Sequence, residues 1–256
     1  MHSLRTHLLV VIVLIILAGG GWFVLHERGS IPSKTATQKM GSNGAQAASF
    51  DKKQHSLDDP ASLWLIVNKR RPLQPKTYAP NDLVVPNIPL RLAASQEEMH
   101  VRKDTAGALE AMAAAAKADG AQLMLASGYR SYNFQVGLYN GYVKTQGQAA
   151  ADSQSARPGY SEHQTGMAAD LEPASRSCEV ETCFANTTEG KWLAANAYKY
   201  GFIIRYPQNM QNVTGYIYEP WHVRYVGAAL AAELHNEGSP TLEQFFSLAA
   251  APDYGS

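Results

Sequence analysis

Two stretches far apart in this chain make chemical sense only if folding brings them to one point. The first is Ser161-Glu162-His163-Gln164-Thr165-Gly166-Met167-Ala168-Ala169-Asp170, and the second is Glu219-Pro220-Trp221-His222. Together they offer two imidazoles, from His163 and His222, and the carboxylate of Asp170. That mixed nitrogen and oxygen set suits zinc better than magnesium or calcium, which prefer oxygen shells. Three protein ligands also leave one coordination position open for water, as a catalytic zinc requires. Any fold for this chain must therefore converge these donors on one cation. Elimination among the eight histidines supports the choice, because only His163 and His222 end apolar or aromatic segments with acidic residues nearby.

The neighbouring residues suit hydrolysis. Glu219 lies three residues before His222, with Pro220 stiffening the link, so it can face the same water without ligating. Its expected role is general base and then proton donor to a leaving amine; the alternatives are a solvent-facing carboxylate or a partner for a histidine. Arg130 lies in Ser127-Gly128-Tyr129-Arg130-Ser131, at a strand-to-helix junction. A guanidinium there can clamp a substrate carboxylate or stabilise a developing oxyanion; a structural ion pair is the other reading. Gln135, Ser155 and Ser161 are candidate substrate contacts, although Ser161 serves equally as a turn-former. Tyr129, Trp221 and Tyr225 read as walls.

Around these motifs the pattern predicts an α+β fold with an antiparallel sheet floor that carries the zinc site, flanked by helices. Strands are expected over 63–68, 122–126, 167–171, 202–206 and 215–218. Helices are expected over 104–118, capped by Asp104 or Thr105 and stopped by Gly120, then over 132–145, capped by Ser131, and over 187–200. Two more helices, over 227–236 and 241–249, close the domain. The prolines from Pro72 to Pro89 predict an extended surface segment.

The amino-terminal end differs. Leu8 to Leu25 contains no charged side chain, and its length reaches the lower bound for a membrane-spanning helix. It reads as an uncleaved anchor; a cleaved signal peptide ending near Ala18-Gly19-Gly20 is the other reading. Both export the remainder of the chain, giving a single-pass membrane protein with an extracytoplasmic catalytic domain, or a secreted one. The Gly-, Ser- and Ala-rich run after it predicts a flexible tether. The expected domains are 1–26 anchor or signal, 27–56 linker and 57–256 catalytic domain. With 22 basic and 22 acidic residues the chain is neutral, which argues against nucleic acid as a partner. Cys178 and Cys183 are the only cysteines, and in an exported domain such a pair reads as a small disulfide loop, with free thiols as the alternative.

The segments 127–131, 161–170 and Glu219-Pro-Trp-His-Val-Arg-Tyr225 resemble the D-alanyl-D-alanine carboxypeptidases of the VanY type, within a wider group of peptidoglycan-cleaving zinc peptidases. The resemblance extends from about Leu63 to Gly238 and includes Gly201-Phe-Ile-Ile-Arg-Tyr-Pro207. It implies that His163, Asp170 and His222 bind zinc, that Glu219 is the base, and that Arg130 meets substrate or oxyanion. Gln135 matches a substrate-carboxylate position of some relatives, and Tyr160 departs from a His common in the family. The implied reaction is removal of the C-terminal D-alanine from a cell-wall stem peptide. An L,D-carboxypeptidase acting on a tetrapeptide stem and a non-catalytic wall-binding module are the alternatives.

Overall fold

The computed structural model describes residues 50–255. The apolar segment 8–25 and the tether up to residue 49 lie outside the described residues, among which no helix is long and apolar enough to cross a membrane. The last part of the expected linker, 50–56, packs on the folded unit: the Phe50 ring stacks on Trp64 at 5.4 Å, and Lys52 Nζ lies 3.7 Å from the Phe245 ring centre.

Within the proline-rich stretch, β1 (Leu83–Val84) pairs antiparallel with β2 (Val101–Arg102). Helix α1 (Lys103–Ala118) begins one residue before the expected cap, because Arg102 is held by Asp82 at 3.0 Å and fixes the entry. Asp104 then falls in the first turn, where the helix dipole favours a carboxylate. Strand β3 (Leu123–Ser127) leads into α2 (Tyr132–Gln146), whose first turn is capped by Ser131 Oγ accepting from Phe134 N at 3.2 Å. Such a cap contributes about 1 kcal/mol.

Next come α3 (Gln148–Gln154), β4 (Ala168–Pro173) and α4 (Thr188–Asn196). Thr187 caps α4 as expected, but the predicted single helix tightens to a 3-10 turn over Ala197–Tyr200. The chain continues through β5 (Phe202–Tyr206), α5 (Gln211–Thr214), β6 (Glu219–Tyr225), α6 (Ala228–Glu237) and α7 (Leu242–Phe245). The result is a mixed helical and sheet fold with antiparallel sheets, the larger ordered β3-β4-β6-β5.

Two expected strands are absent from these sheets. Leu63–Asn68 does alternate: Trp64 and Ile66 enter one apolar cluster while Leu65 and Val67 enter another. Its carbonyls, however, accept from a side chain rather than a strand, with Arg224 Nη2 donating to Leu63 O at 3.2 Å and Leu65 O at 2.8 Å. Gly215–Tyr218 stays irregular because Gly215 adopts φ +86° and Ile217 N donates to Ser153 O at 3.2 Å, tying the segment to the end of α3.

The main core lies between the sheet and helices α1 and α4, joining Leu109 and Met112 to Leu125, Leu171, Leu193 and Phe202. Each such side chain stabilises the fold by roughly 1.5–3 kcal/mol through its removal from water. Asp170 of β4 and Glu219 and His222 of β6 line a cleft.

Candidate metal centre

Strand register does most of the positioning. Asp170 on β4 stands directly opposite His222 on β6, and opposite Ser127 at the end of β3. Side chains so paired have Cβ atoms about 5 Å apart, which is ligand spacing for a single ion. Glu219 and His222 would point to opposite faces of a regular strand, because side chains alternate. The register between β5 and β6 is broken here: Ile204 faces Val223 while Tyr206 faces Glu219, so two steps on β5 match four on β6. The extra residues turn Glu219 back, and its Oε2 comes within 3.7 Å of His222 Nδ1.

His163 enters from a 3-10 turn, Glu162–Thr165, which ends at Gly166 in the left-handed region at φ +69°. Its Nδ1–H donates to Gly128 O at 2.6 Å, which leaves the Nε2 lone pair facing the cleft. That contact depends on a glycine, since a Cβ at position 128 would sit 2.3 Å from His100 O.

His163 Nε2 lies 3.3 Å from Asp170 Oδ2, and His222 Nδ1 lies 3.1 Å from Asp170 Oδ1. For bonds near 2.1 Å at tetrahedral angles, ligand atoms stand about 3.4 Å apart. All three side chains are buried, and their donor atoms fall within 4.8 Å of one another, the one such cluster among the described residues. His163 Nε2 and Asp170 Oδ1 are buried with no hydrogen-bond partner among those residues. Buried polar atoms are almost always satisfied, so the donor set fits a cation.

The electrostatics agree. Burial and the nearby Arg130 charge push His163 down to about 4, keeping it neutral, and the two imidazoles hold the Asp170 carboxyl well below its usual range despite burial. Burial would lower His222 too, but Asp170 and Glu162 overrule it and raise it to about 9, so binding an ion through this ring would compete with a proton. Burial pushes Glu219 up to about 8, and the Asp170 charge adds to that rise.

A cleft of about 370 Å³ opens onto these groups. Arg130 lines it, with Nη1 3.6 Å from Asp170 Oδ2 and 3.3 Å from Ser127 Oγ. Ser155 lines the cleft as well, and Ser161 lines a small recess beside it. Gln135, expected at the substrate, is instead fully buried one layer behind: its Nε2 donates to Ala156 O at 2.8 Å and Ser155 Oγ at 3.2 Å. It shapes the wall that carries Ser155. The opposite rim is Val180, Glu181 and Thr182, within the loop closed by the Cys178–Cys183 disulfide. Tyr160 packs edge-on against Tyr254 and is not among the cleft residues.

Sequence reasoning missed a buried charge network beneath the site. Glu162 Oε1 accepts from Arg205 Nε at 2.8 Å and Arg224 Nη1 at 3.0 Å, and Arg205 is also held by Glu243 at 2.7 and 3.0 Å. All four side chains are fully buried. The available signal was an arginine inside each of two aromatic- and aliphatic-rich strands, Phe202-Ile-Ile-Arg205-Tyr and Trp221-His-Val-Arg224-Tyr.

Residues 98–228 match the model of the family described as VanY, D-alanyl-D-alanine carboxypeptidase. The putative carboxypeptidase YodJ of Bacillus subtilis is 42% identical over 191 residues, covering 75% of this chain and 69% of YodJ. Among solved structures, the LdcB LD-carboxypeptidase superposes with TM-score 0.70 at 42% identity, covering 74% of this chain and 88% of LdcB. The vancomycin-resistance D,D-pentapeptidase VanY, solved with Zn(II), superposes with TM-score 0.58 at 30% identity, covering 72% and 98%. This chain belongs to the VanY family of carboxypeptidases.

Proposed function

We propose that this protein is a zinc-dependent carboxypeptidase that hydrolyses the terminal D-alanine from peptidoglycan stem peptides. The observation that carries this reading is the convergence of His163, Asp170 and His222 beside Glu219 and Arg130 at one cleft. His163 Nε2, an Asp170 oxygen and His222 Nδ1 would hold the ion. Bound there, zinc supplies a Lewis acid that makes water more acidic and polarises the scissile carbonyl. Glu219 takes the proton from the attacking water and returns it to the amine as the peptide C–N bond breaks. Arg130 orients the substrate carboxylate or opposes charge on the carbonyl oxygen, and the Ser155 and Ser161 hydroxyls offer hydrogen bonds to the peptide.

The motifs alone put D,D-cleavage of a pentapeptide stem first, and the VanY D,D-pentapeptidase supports that specificity at 30% identity. The higher identity and TM-score with the LdcB LD-carboxypeptidase favour L,D-cleavage of a tetrapeptide stem, which we place ahead. The apolar segment 8–25 supports an anchored enzyme working outside the cytoplasm.

Incubating tetrapeptide and pentapeptide stems side by side, with mass detection of released alanine, separates the two specificities. Faster release from the tetrapeptide is expected. Hydrolysis that survives exhaustive chelation would overturn the zinc requirement, and release from neither stem would overturn the substrate.

A further inference from the structure

We propose that Glu162 is the positioning residue of the metal centre: it accepts a hydrogen bond from His222 Nε2 and so fixes the tautomer that presents Nδ1 to the ion. The two oxygens of Glu162 have different surroundings. Oε1 takes both arginine contacts, from Arg205 Nε at 2.8 Å and Arg224 Nη1 at 3.0 Å. Oε2 is buried without a hydrogen-bond partner among the described residues, and so is His222 Nε2. These two unpartnered atoms face each other at 3.7 Å. A buried carboxylate oxygen and a buried ring N–H without other partners each carry a desolvation cost that their mutual contact removes. A closure of under about 1 Å brings them to ordinary hydrogen-bond distance.

The carboxylate has little freedom to do anything else. Arg205 is anchored on its far side by Glu243, which Asn68 Nδ2 contacts in turn at 3.0 Å. Arg224 is anchored by the carbonyls of Leu65 and Tyr225 at 2.8 and 3.0 Å. A carboxylate serving only to neutralise two buried guanidiniums would spread both oxygens between them. Here one oxygen is reserved for the imidazole. His163 and His222 are thereby held by different means, the first by a backbone carbonyl and the second by a charge. A carboxylate partner strengthens the ligand nitrogen more than a neutral acceptor does.

The inference rests on the zinc-dependent reading of the site, and the test separates the two. Nitrogen-15 NMR of histidine in the zinc-loaded wild-type protein should show the His222 proton on Nε2 and the metal on Nδ1. Zinc affinity is then measured by chelator competition for E162Q and E243Q. Each variant removes one carboxylate from the same buried network, but only Glu162 faces His222. E162Q should weaken zinc roughly 10–100-fold, while E243Q keeps affinity near the wild-type value. Zinc bound through Nε2 of His222, or equal weakening in both variants, would overturn the inference while leaving the zinc reading intact. If E162Q fails to fold, the wild-type NMR result decides. A wild-type protein that takes up no zinc would overturn both.

Discussion

The two opposite tasks proposed for Glu219 both turn on its burial. Burial pushes its carboxyl up to about 8. A divalent ion held by the proposed ligands would oppose that rise and favour the ionised carboxylate that the proposed base step needs. Glu219→Gln should therefore retain zinc, by elemental analysis, while turnover falls by roughly 10²–10⁴-fold. His163→Ala should lose both. Arg130→Lys keeps the charge but not the planar fork; a large loss of activity is expected, and full activity would remove Arg130 from the substrate contacts. The three proposed ligand residues stood out in the sequence because each sits in a dense local motif. Glu162 was not, because its meaning depends on Arg205 and Arg224, which arrive from other strands. Gln135 was read as a substrate contact from its place behind Arg130 and from resemblance, whereas only the packed structure shows its amide nitrogen donating to Ala156 O.

Most helices and the central strands were readable from caps, glycine stops and apolar runs, as α2 with its Ser131 cap shows. Leu63–Asn68 deceived because period-two burial means strand only where a neighbour supplies the ladder, and here a guanidinium takes the carbonyls. The rim loop carries its own prediction. Its disulfide closes a short ring that includes Val180, Glu181 and Thr182 of the cleft wall. Chain-entropy bookkeeping for a ring of this size gives about 2 kcal/mol. Replacing Cys178 and Cys183 together by Ser should cost about that much in urea unfolding. It should also raise KM more than it lowers kcat, because the rim borders the cleft and none of the proposed zinc ligands lies on it. An unchanged KM would show that the rim does not meet the substrate.

The molecule as a whole carries paired charges in its interior, and these set its response to acid. Burial alone would raise the Glu243 and Glu162 carboxyls, but Arg205 for the first, and Arg205 with Arg224 for the second, hold both below the ordinary value of 4.5. A carboxyl depressed in the folded state adds stability that is complete above its unfolded value and lost as pH falls through the folded one. Through these two carboxyls, denaturant unfolding should show stability falling as pH drops below about 5, with E243Q reducing that fall. The class of fold was foreseeable, while the strand order β3-β4-β6-β5 was not, because it depends on pairings between segments distant in sequence.

The register that sets Asp170 across from His222 has a mechanical side as well. An ion gripped by both would rivet the two middle strands of the sheet, so that unzipping them requires releasing it. Deuterium uptake by the backbone amides of Ala168–Pro173 and Glu219–Tyr225 should slow on adding zinc, with little change in α6, which carries none of the proposed ligands. Loading the site and locking the centre of the sheet are then a single event.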